Sequence, residues 1–393
     1  MHRILFVLPG FTVGGTVYST LNMLSLLVKE EYDISVFAMS HQGPVKNTYS
    51  KYHIEEEKFW ISLISGATNK ERGIKLYLSF FVKLLIRALK KINIDIKQYV
   101  YTKTAQQLTR YGMYDYVVAC QEGLATHFVS TFQNVKKIAW VRCEYSSYIN
   151  MVPCSQYQKE QYSIYPQFNK IVCVSETTRN DFVHFFGHLK DRVFAIHNIQ
   201  DIDSISDKSN ETVNDNFSPD YFNIVSIGRI APQKRFNKIP EIANSLRKQG
   251  VIFKWYIIGD GNIEGEGDKL REAINLYHCE DCVICLGYKQ NPYPYIKAAA
   301  LLVNTSYTEA CPRVIAEAQI LGTPTVCTNF SSAKEFIKDG VNGYIGSLED
   351  LPSIIGELIR SREMYGKIKE AIYNNTLVYE NNRIMIQLKE LFV

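Results

Sequence analysis

Short apolar runs alternate with longer helical or polar stretches along this chain, and the alternation occurs twice. The first half contains the runs "RILFVLP", "DISVFAM", "YDYVVAC", "KKIAWV" and "NKIVCVS". From residue 222 the runs are "FNIVSIG", "FKWYIIG", "CVICLG", "AALLVNT", "TPTVCT" and "NGYIG". Apolar strands without polar alternation are buried on both faces, which is typical of parallel sheets covered by helices. Each half is therefore predicted to be a doubly wound α/β domain.

A polar, turn-rich stretch separates the two patterns. We interpret 201–220, "DIDSISDKSNETVNDNFSPD", as a linker between an N-terminal domain at 1–200 and a second domain at 221–374. The last residues, 375–393, are expected to form a helix that returns to the first domain. Ligands of open α/β sheets bind beyond the carboxyl ends of the strands. We therefore expect the chemistry in a central cleft that the two domains face.

Composition limits the class of protein. Apolar residues make up 46% and charged residues 21%, which is typical of a globular chain. The start, "MHRILFVLPGF", indicates a strand rather than a secretory signal, and no stretch approaches the ~18 apolar residues of a membrane span. We expect a cytoplasmic protein.

The nine cysteines lie mostly in apolar runs, which indicates reduced core thiols. Cys279, Cys282 and Cys285 have the spacing of a partial metal-cluster site. The sequence offers no obvious fourth ligand, and "VICL" predicts a buried strand that directs Cys285 into a core. We expect no metal there.

Charge is unevenly distributed. Residues 1–200 carry 23 Lys and Arg against 15 Asp and Glu, whereas 201–393 carry 21 against 25. Eight basic and two acidic residues lie in 70–97, where Lys83 and Arg87 fall on one basic helical face. Two interpretations stay open. The segment contacts an anionic membrane surface or a lipid-linked acceptor, or it packs its apolar face on the domain core.

Two glutamates, Glu309 and Glu317, lie eight positions apart in "TEACPRVIAEA". Pro312 suits the first position of a helix, which would run to Gly322 and leave Glu309 in the preceding loop. Carboxylates beside a helix start suit a ligand with phosphate and vicinal hydroxyls, such as a sugar nucleotide. The alternative is one acid that complements the helix dipole and one solvated acid.

Further residues at strand ends suit a diphosphate. Gly14 and Gly15 precede a helix, where glycines let the backbone approach a phosphate, although a plain turn is the alternative. Arg229 follows a strand, and Lys234 is predicted at the start of the next helix. A cation is unfavourable at a helix N-terminus, so an anionic ligand would explain Lys234. The alternative is a pair of solvated basic residues.

A family resemblance rests on several motifs in order. "GRIAPQK", "YIIGDGN", "ICLGYKQNPYPYIKAA", "VNTSYTEACPRVIAEAQILGTPTV" and "KEFIKDGVNGYIG" resemble the C-terminal domain of retaining family 4 glycosyltransferases of the GT-B fold. The likeness runs over about 222–347. More loosely, the glycine loop, "YDYVVACQEG", "KKIAWVRCEY" and "IVCVSETTRNDF" resemble the acceptor-side domain of enzymes that build bacterial surface polysaccharides.

The resemblance implies roles for individual residues. Glu317 would hold the ribose hydroxyls, Glu309 would face the donor sugar, and Arg229 with Lys234 would hold the diphosphate. The implied catalytic residues are Arg229, Lys234 and Glu309. The implied donor-binding residues are Gly14, Gly15, Gly228, Gly259, Gly287, Tyr288, Ala310, Cys311, Pro312, Arg313, Val314 and Glu317. The implied residues on the acceptor or donor-sugar side are Arg142, Glu144, Glu122 and His127.

Two positions depart from the family pattern. Ala310 stands where the family usually has glycine, and its methyl group would narrow the sugar pocket. Arg142 stands near the position where related sequences often have a histidine that contacts the donor sugar. Either Arg142 makes that contact, or it pairs with an acidic group of donor or acceptor, or the site differs more deeply.

The resemblance also implies an activity. A retaining glycosyltransferase would move a sugar from a nucleoside-diphosphate sugar, UDP-linked in the expected case, to a saccharide or undecaprenyl-linked acceptor in surface-polysaccharide synthesis. It would need no cofactor and no metal, bind no nucleic acid, and work in the cytoplasm at the inner face of the membrane. The alternatives are a non-catalytic GT-B partner of another transferase and a GT-B epimerase or phosphorylase.

Overall fold

The computed structural model describes residues 2–12, 14–30, 32–65, 74–90, 94–110, 112–147, 155–213, 217–218, 220–373 and 377–393. The chain divides into two compact units. The first comprises Met1–Ile199 and Ile384–Val393, and the second Gln200–Arg383.

The first unit contains a parallel sheet of seven strands in its described residues. The strands are β1 (Arg3–Leu8), β2 (Asp33–Ala38), β3 (His53–Ile54), β4 (Tyr116–Ala119), β5 (Lys136–Val141), β6 (Lys170–Cys173) and β7 (Val193–Ala195). Their order is β3-β2-β1-β4-β5-β6-β7, so the direction of winding changes between β1 and β4. Ile4 to Leu8 are fully buried, as the unbroken apolar run predicts for a central strand.

Helices cover this sheet. They are α1 (Gly15–Val28), α2 (Phe59–Ser65), α3 (Ile74–Lys90), α4 (Ile96–Leu108), α5 (Leu124–Ser130), α6 (Ser155–Ile164) and α7 (Glu176–Phe185). The side chains of Asp95 and Ser175 cap α4 and α7, because each accepts a bond from a backbone N–H of the first turn.

The second unit contains a parallel sheet of six strands in its described residues. The strands are β8 (Phe222–Ile227), β9 (Phe253–Ile258), β10 (Val283–Gly287), β11 (Leu301–Asn304), β12 (Thr325–Thr328) and β13 (Tyr344–Gly346). The order is β10-β9-β8-β11-β12-β13, with the change of winding direction between β8 and β11. Each unit is therefore a doubly wound α/β fold, as predicted.

The helices of the second unit follow the same alternation. They are α8 (Ile202–Lys208), α9 (Ile239–Lys248), α10 (Glu266–Leu276), α11 (Tyr293–Ala298), α12 (Arg313–Ile320), α13 (Ala333–Phe336), α14 (Leu351–Arg360) and α15 (Arg362–Tyr373). The last helix, α16 (Leu377–Leu391), crosses the division of the chain, and its end packs in the first unit. There the Phe392 ring lies 5.3 Å from Tyr116, and Lys389 pairs with Glu30 at 2.6 Å.

Two local features differ from expectation. Part of the segment interpreted as a linker is the helix α8, which packs on α11 and α12, and Lys208 O accepts a bond from Asn291 at 2.8 Å. Cys285 was expected in a core but is exposed, because β10 is the edge strand of its sheet. Cys279 and Cys282 are buried, as expected.

Among the described residues, no helix combines the length and apolar character needed to cross a membrane.

Candidate functional site

Three glycines stand at the carboxyl ends of neighbouring strands. Gly228 follows β8, Gly259 follows β9, and Gly287 ends β10. The N–H of Gly228 donates to Ile258 O at 3.0 Å, and that of Gly259 donates to Gly287 O at 2.9 Å. Gly259 has a φ of 146°, and a Cβ there would lie 1.9 Å from Gly228 O. Only glycine fits at position 259. The three glycines therefore allow the loops that follow β8, β9 and β10 to pack closely against one another.

The loop after β8 carries Arg229 and Lys234. The predicted start of a helix at Lys234 is wrong. Residues Pro232–Lys234 form a 3₁₀ turn, and α9 begins at Ile239. Lys234 is therefore not at an α-helix N-terminus, and the dipole argument does not explain it. Arg229 is exposed and makes no hydrogen bond or ion pair with another described residue.

Lys234 forms an ion pair with Glu309. Its Nζ donates to Glu309 Oε1, and the two side chains are only 18% and 12% exposed. The aliphatic part of Lys234 lies over Gly228, where an added Cβ would approach Lys234 Cε to 3.0 Å. The alternative of two solvated basic residues is therefore wrong for Lys234, whose side chain is largely buried and packs over the glycine that follows β8.

Glu309 lies in the loop between β11 and α12, as predicted. Its Oε1 also accepts from Ser306 Oγ at 2.7 Å, and its backbone carbonyl accepts from Ser332 Oγ at 2.6 Å. Within the described part of the chain, Oε2 accepts no hydrogen bond. One carboxylate oxygen is fixed by the protein, and the other can accept from a ligand.

Glu317 lies on α12, which begins at Arg313 rather than Pro312, one residue later than predicted. Pro312 is the N-cap residue. Glu317 is 6% exposed, and its Oε1 accepts from the Arg313 guanidinium at 2.7 Å, one turn earlier. A solvated helix acid would be exposed, so that alternative is wrong for Glu317. Its Oε2 likewise accepts no bond from any described residue.

The remaining residues proposed for this unit surround these loops. Ala310, Cys311 and Val314 are half-buried on either side of the helix start, and Tyr288 is exposed after Gly287.

Sequence reasoning missed Arg235, which ties the two loops together. It adopts a left-handed conformation with a φ of 50°. Its Nε donates to Thr305 O at 2.9 Å, its guanidinium donates to Ser306 O at 3.0 Å, and the cation lies over the Tyr307 ring. Thr305 Oγ1 donates back to Lys234 O at 2.7 Å. The position next to Lys234 in "PQKRF" was the only sequence signal, and it does not reveal these contacts.

Gly14 and Gly15 stand at the start of α1 in the first unit. Gly14 is the N-cap residue with a φ of 175°, an extended conformation that any residue adopts. An added Cβ at either glycine would meet nothing within 4 Å. Neither conformation nor packing among the described residues explains why both positions are glycine.

Arg142 follows β5 and bonds to several elements of its own unit. Its Nε donates to Cys120 O at 2.6 Å, and its terminal nitrogens donate to Ser19 Oγ at 2.7 Å, Asn198 Oδ1 at 2.9 Å and Thr20 Oγ1 at 3.1 Å. These partners lie on α1 and after β4 and β7. Arg142 therefore cross-links the carboxyl end of the sheet, and a contact with donor or acceptor stays a prediction.

Glu122 supports the same turn and is buried. It accepts from the Arg142 backbone N–H at 2.9 Å and from Cys143 Sγ at 3.0 Å. Burial, together with the Glu122 charge, raises the pKa of the Cys143 thiol well above its ordinary value, so this thiol stays protonated at neutral pH. Glu144 is half-buried on the same turn.

His127 lies on α5 and is buried. Its Nδ1 accepts from Lys97 Nζ at 3.0 Å, so its Nε2–H donates to Gln98 Oε1 at 3.3 Å, and its ring meets the edge of Tyr101 at 5.4 Å. These three partners lie on α4. His127 therefore holds α5 against α4, and a contact with the acceptor or the donor sugar stays a prediction.

Over the described ranges, no three His, Cys, Asp or Glu side chains are placed to hold a metal ion.

The comparison with protein families matches a stretch of the second unit. Residues 207–375 match the family described as glycosyl transferases group 1. The chain is 27% identical over 208 residues to an uncharacterized glycosyltransferase of Methanocaldococcus jannaschii, covering 50% of this chain and 48% of that protein. It is 26% identical over 194 residues to the amylovoran biosynthesis glycosyltransferase AmsD of Erwinia amylovora, covering 47% and 53%. The chain thus spans about half the length of these curated relatives.

The likeness to solved structures extends over the whole chain. The crystal structure of Anabaena HepE in complex with UDP and glucose has a TM-score of 0.73 and 18% identity, with 99% of this chain and 100% of that chain covered. At this identity the likeness concerns the fold. The predicted GT-B fold, with two Rossmann-like domains, is confirmed.

Proposed function

We propose that this chain, whose residues 207–375 match the glycosyl transferases group 1 family, transfers a sugar from a UDP-sugar to a saccharide acceptor. One observation carries the proposal. The carboxyl ends of β8 and β11, where the winding of the second sheet changes direction, bring Lys234 and Glu309 into neighbouring loops and place Glu317 on the helix that follows the second loop. This is where open α/β sheets bind ligands.

Each charged residue suits one part of the donor. Glu317 Oε2 would accept from the ribose hydroxyls, since Arg313 already holds Oε1. Glu309 Oε2 would accept from hydroxyls of the donor sugar. Lys234 and the exposed Arg229 would hold the diphosphate, for which a guanidinium supplies forked donors and an ammonium a point charge. The named complex of HepE with UDP and glucose supports a donor of this class.

We propose that the reaction retains the anomeric configuration and needs no divalent metal. Cleavage of the glycosidic bond develops positive charge on the sugar and negative charge on the leaving diphosphate. Fixed cations therefore stabilise the transition state most when they lie beside the diphosphate, where the negative charge develops. The acceptor hydroxyl would attack the same face of the sugar from which the diphosphate departs. A phosphate oxygen of the leaving group would accept the proton of that hydroxyl. Glu309 would then bind the sugar rather than act as a nucleophile.

The acceptor and the location are proposed from the sequence and the relatives. The similarity to AmsD, a glycosyltransferase of amylovoran biosynthesis, supports a role in surface-polysaccharide synthesis. Such an acceptor is a saccharide, and we propose that it is carried on a lipid such as undecaprenyl diphosphate at the inner membrane face. Backbone N–H groups of Gly14 and Gly15 are proposed to bind a phosphate, since the described structure gives no other reason for two glycines there.

A transfer assay tests the proposal. The protein is incubated with UDP-glucose, UDP-galactose or UDP-N-acetylglucosamine and an undecaprenyl-linked saccharide, in excess EDTA, and UDP release is measured. The expected result is UDP release and an α-linked product by proton NMR. A β-linked product would contradict retention. Release that requires added manganese or magnesium would contradict metal independence. A folded protein that binds no nucleotide would favour the non-catalytic partner.

A further inference from the structure

Large apolar side chains of α2 and α3 lie in solvent. The six residues that are each more than half exposed are Phe59, Trp60, Tyr77, Phe80, Phe81 and Leu85. We call this set the α2/α3 surface. Single exposed apolar residues are ordinary, but several large ones on two packed helices mark an interaction site.

Among the side chains of α3 that the structure describes, a narrow strip faces the core of its unit. Ser79 is fully buried and donates to Leu63 O of α2 at 2.8 Å, while Val82 and Ile86 pack against the hydrophobic core. These positions recur every three or four residues, as one helix face does. The core interpretation of this segment therefore accounts for the strip and leaves Phe80, Phe81 and Leu85 unexplained.

The two helices form one structural element. Besides the bond between Ser79 and Leu63, α2 packs on α3 and on α4. Phe59 contacts the Trp60 ring on α2, and Phe80 contacts the Phe81 ring on α3. Aromatic residues are therefore presented by both helices, and Trp60 adds a second helix to the segment that the sequence singled out.

The charge near this surface is basic. The α3 sequence, "IKLYLSFFVKLLIRALK", contains four basic residues and no acidic residue, and Arg87 is exposed. Of the acids that flank α2 and α4, Glu57 accepts from His41 N at 3.4 Å, Asp95 caps α4, and Glu56 is exposed. Basic residues beside exposed aromatic and leucine side chains match the headgroup region of an anionic bilayer.

We propose that the α2/α3 surface docks the protein on an anionic membrane, with the aromatic side chains at the level of the headgroups and Arg87 against lipid phosphates. A second copy of the chain fits less well, because a two-fold interface through α3 would bring identical basic helices together. This inference deepens the proposed function, since it names the surface that would bring the enzyme to a lipid-linked acceptor.

Trp60 supplies a direct probe of the contact. The chain has three tryptophans, and Trp140 and Trp255 are 3% and 0% exposed, whereas Trp60 is 58% exposed. The protein is titrated with vesicles of phosphatidylcholine alone or mixed with phosphatidylglycerol. The expected result is a blue shift of tryptophan emission with the mixed vesicles only, weakened by salt and absent in Trp60→Phe.

Variants separate apolar from charged contributions. The double variant Phe81→Glu, Leu85→Glu is expected to weaken binding to the mixed vesicles at least about tenfold, because two apolar side chains that would enter the bilayer are replaced by charged ones. Arg87→Glu is expected to weaken it about tenfold, because one charge is reversed near an anionic surface. The matched controls in the second unit, Ile252→Glu and Lys248→Glu, also change exposed residues and should bind as the parent does.

Three outcomes overturn the proposal. They are equal binding by all variants, no binding to either vesicle type at low salt, and a concentration-dependent dimer that the Phe81→Glu, Leu85→Glu variant abolishes. The last result would assign the surface to a second copy. UDP binding is measured in parallel. A variant that loses vesicle binding but still binds UDP supports the membrane contact of the α2/α3 surface. If neither the parent protein nor any variant binds UDP, the proposed function is contradicted, whatever the vesicle result.

Discussion

At the scale of single residues, the charged side chains fall into two groups. Glu309 and Glu317 each use one carboxylate oxygen on a protein cation and keep the other without a donor among the described residues. Arg142 instead directs its guanidinium to four oxygen atoms of its own unit. Substitutions in the first group should therefore weaken ligand binding, whereas substitution of Arg142 should mainly lower stability.

Glu317→Gln and Lys234→Ala are expected to weaken UDP binding. Loss of one charged hydrogen-bonding partner costs about 1.5–3 kcal/mol, or about 10- to 150-fold in affinity. The free energy of unfolding should also fall, because each change removes one charge of a largely buried ion pair, so affinities are compared between proteins that circular dichroism shows to be folded. Titration calorimetry measures the affinity. Lys248→Ala, an exposed change in the same unit, is the control, and full affinity in both variants would refute the assignment.

Arg142→Met should lower stability. The variant keeps the unbranched apolar part of the side chain but removes the bonds to Cys120 O, Ser19, Thr20 and Asn198, which we expect to cost about 2–4 kcal/mol of unfolding free energy. Urea denaturation followed by circular dichroism measures this. Unchanged stability combined with lost transfer would show instead that Arg142 acts directly on donor or acceptor.

Residue types were more predictable than partners. The spacing of Glu309 and Glu317 and the run "GRIAPQK" singled out charged residues that the structure places after β8 and β11. The bonds from Arg235 to the Thr305–Tyr307 loop were not predictable, because they join residues about 70 positions apart and depend on a left-handed backbone.

At the scale of elements, the strand ends depend on glycine. Gly228 leaves room for Lys234, and Gly259 leaves room for Gly228 O. Strand positions were predictable because buried parallel strands have unbroken apolar runs. Helix starts were less predictable than strands. Pro232 begins a 3₁₀ turn rather than α9, and the local sequence does not distinguish a 3₁₀ turn from the first turn of an α-helix.

Gly259→Ala should destabilise the second unit. The left-handed φ and the clash with Gly228 O are expected to cost more than about 2 kcal/mol of unfolding free energy. Gly366→Ala, on the helix α15 and with nothing within 4 Å, should instead stabilise by about 0.5–1 kcal/mol. Thermal and urea unfolding compare the two. Equal stability of both variants would contradict the tight packing of the glycine row.

At the scale of the whole molecule, both sheets have the same kind of strand order, with the winding reversing beside the first strand of each unit. The two alternating patterns predicted this class, and the comparison with HepE agrees over 99% of the chain. The solvent exposure of the α2/α3 surface was not predictable, because its apolar pattern also suits a helix packed on a core. Partner contacts are long-range properties that periodicity does not encode.

The most direct test of the account is whether the protein recognises UDP through Glu317. Thermal unfolding is followed in excess EDTA with UDP, GDP, ADP or no nucleotide, for the parent protein and for Glu317→Gln. We expect UDP to stabilise the parent protein by about 2.7 kcal/mol at a concentration 100 times its Kd, and to stabilise the Glu317→Gln variant less. A parent protein that no nucleoside diphosphate stabilises, or a variant that UDP stabilises equally, would contradict the central claim.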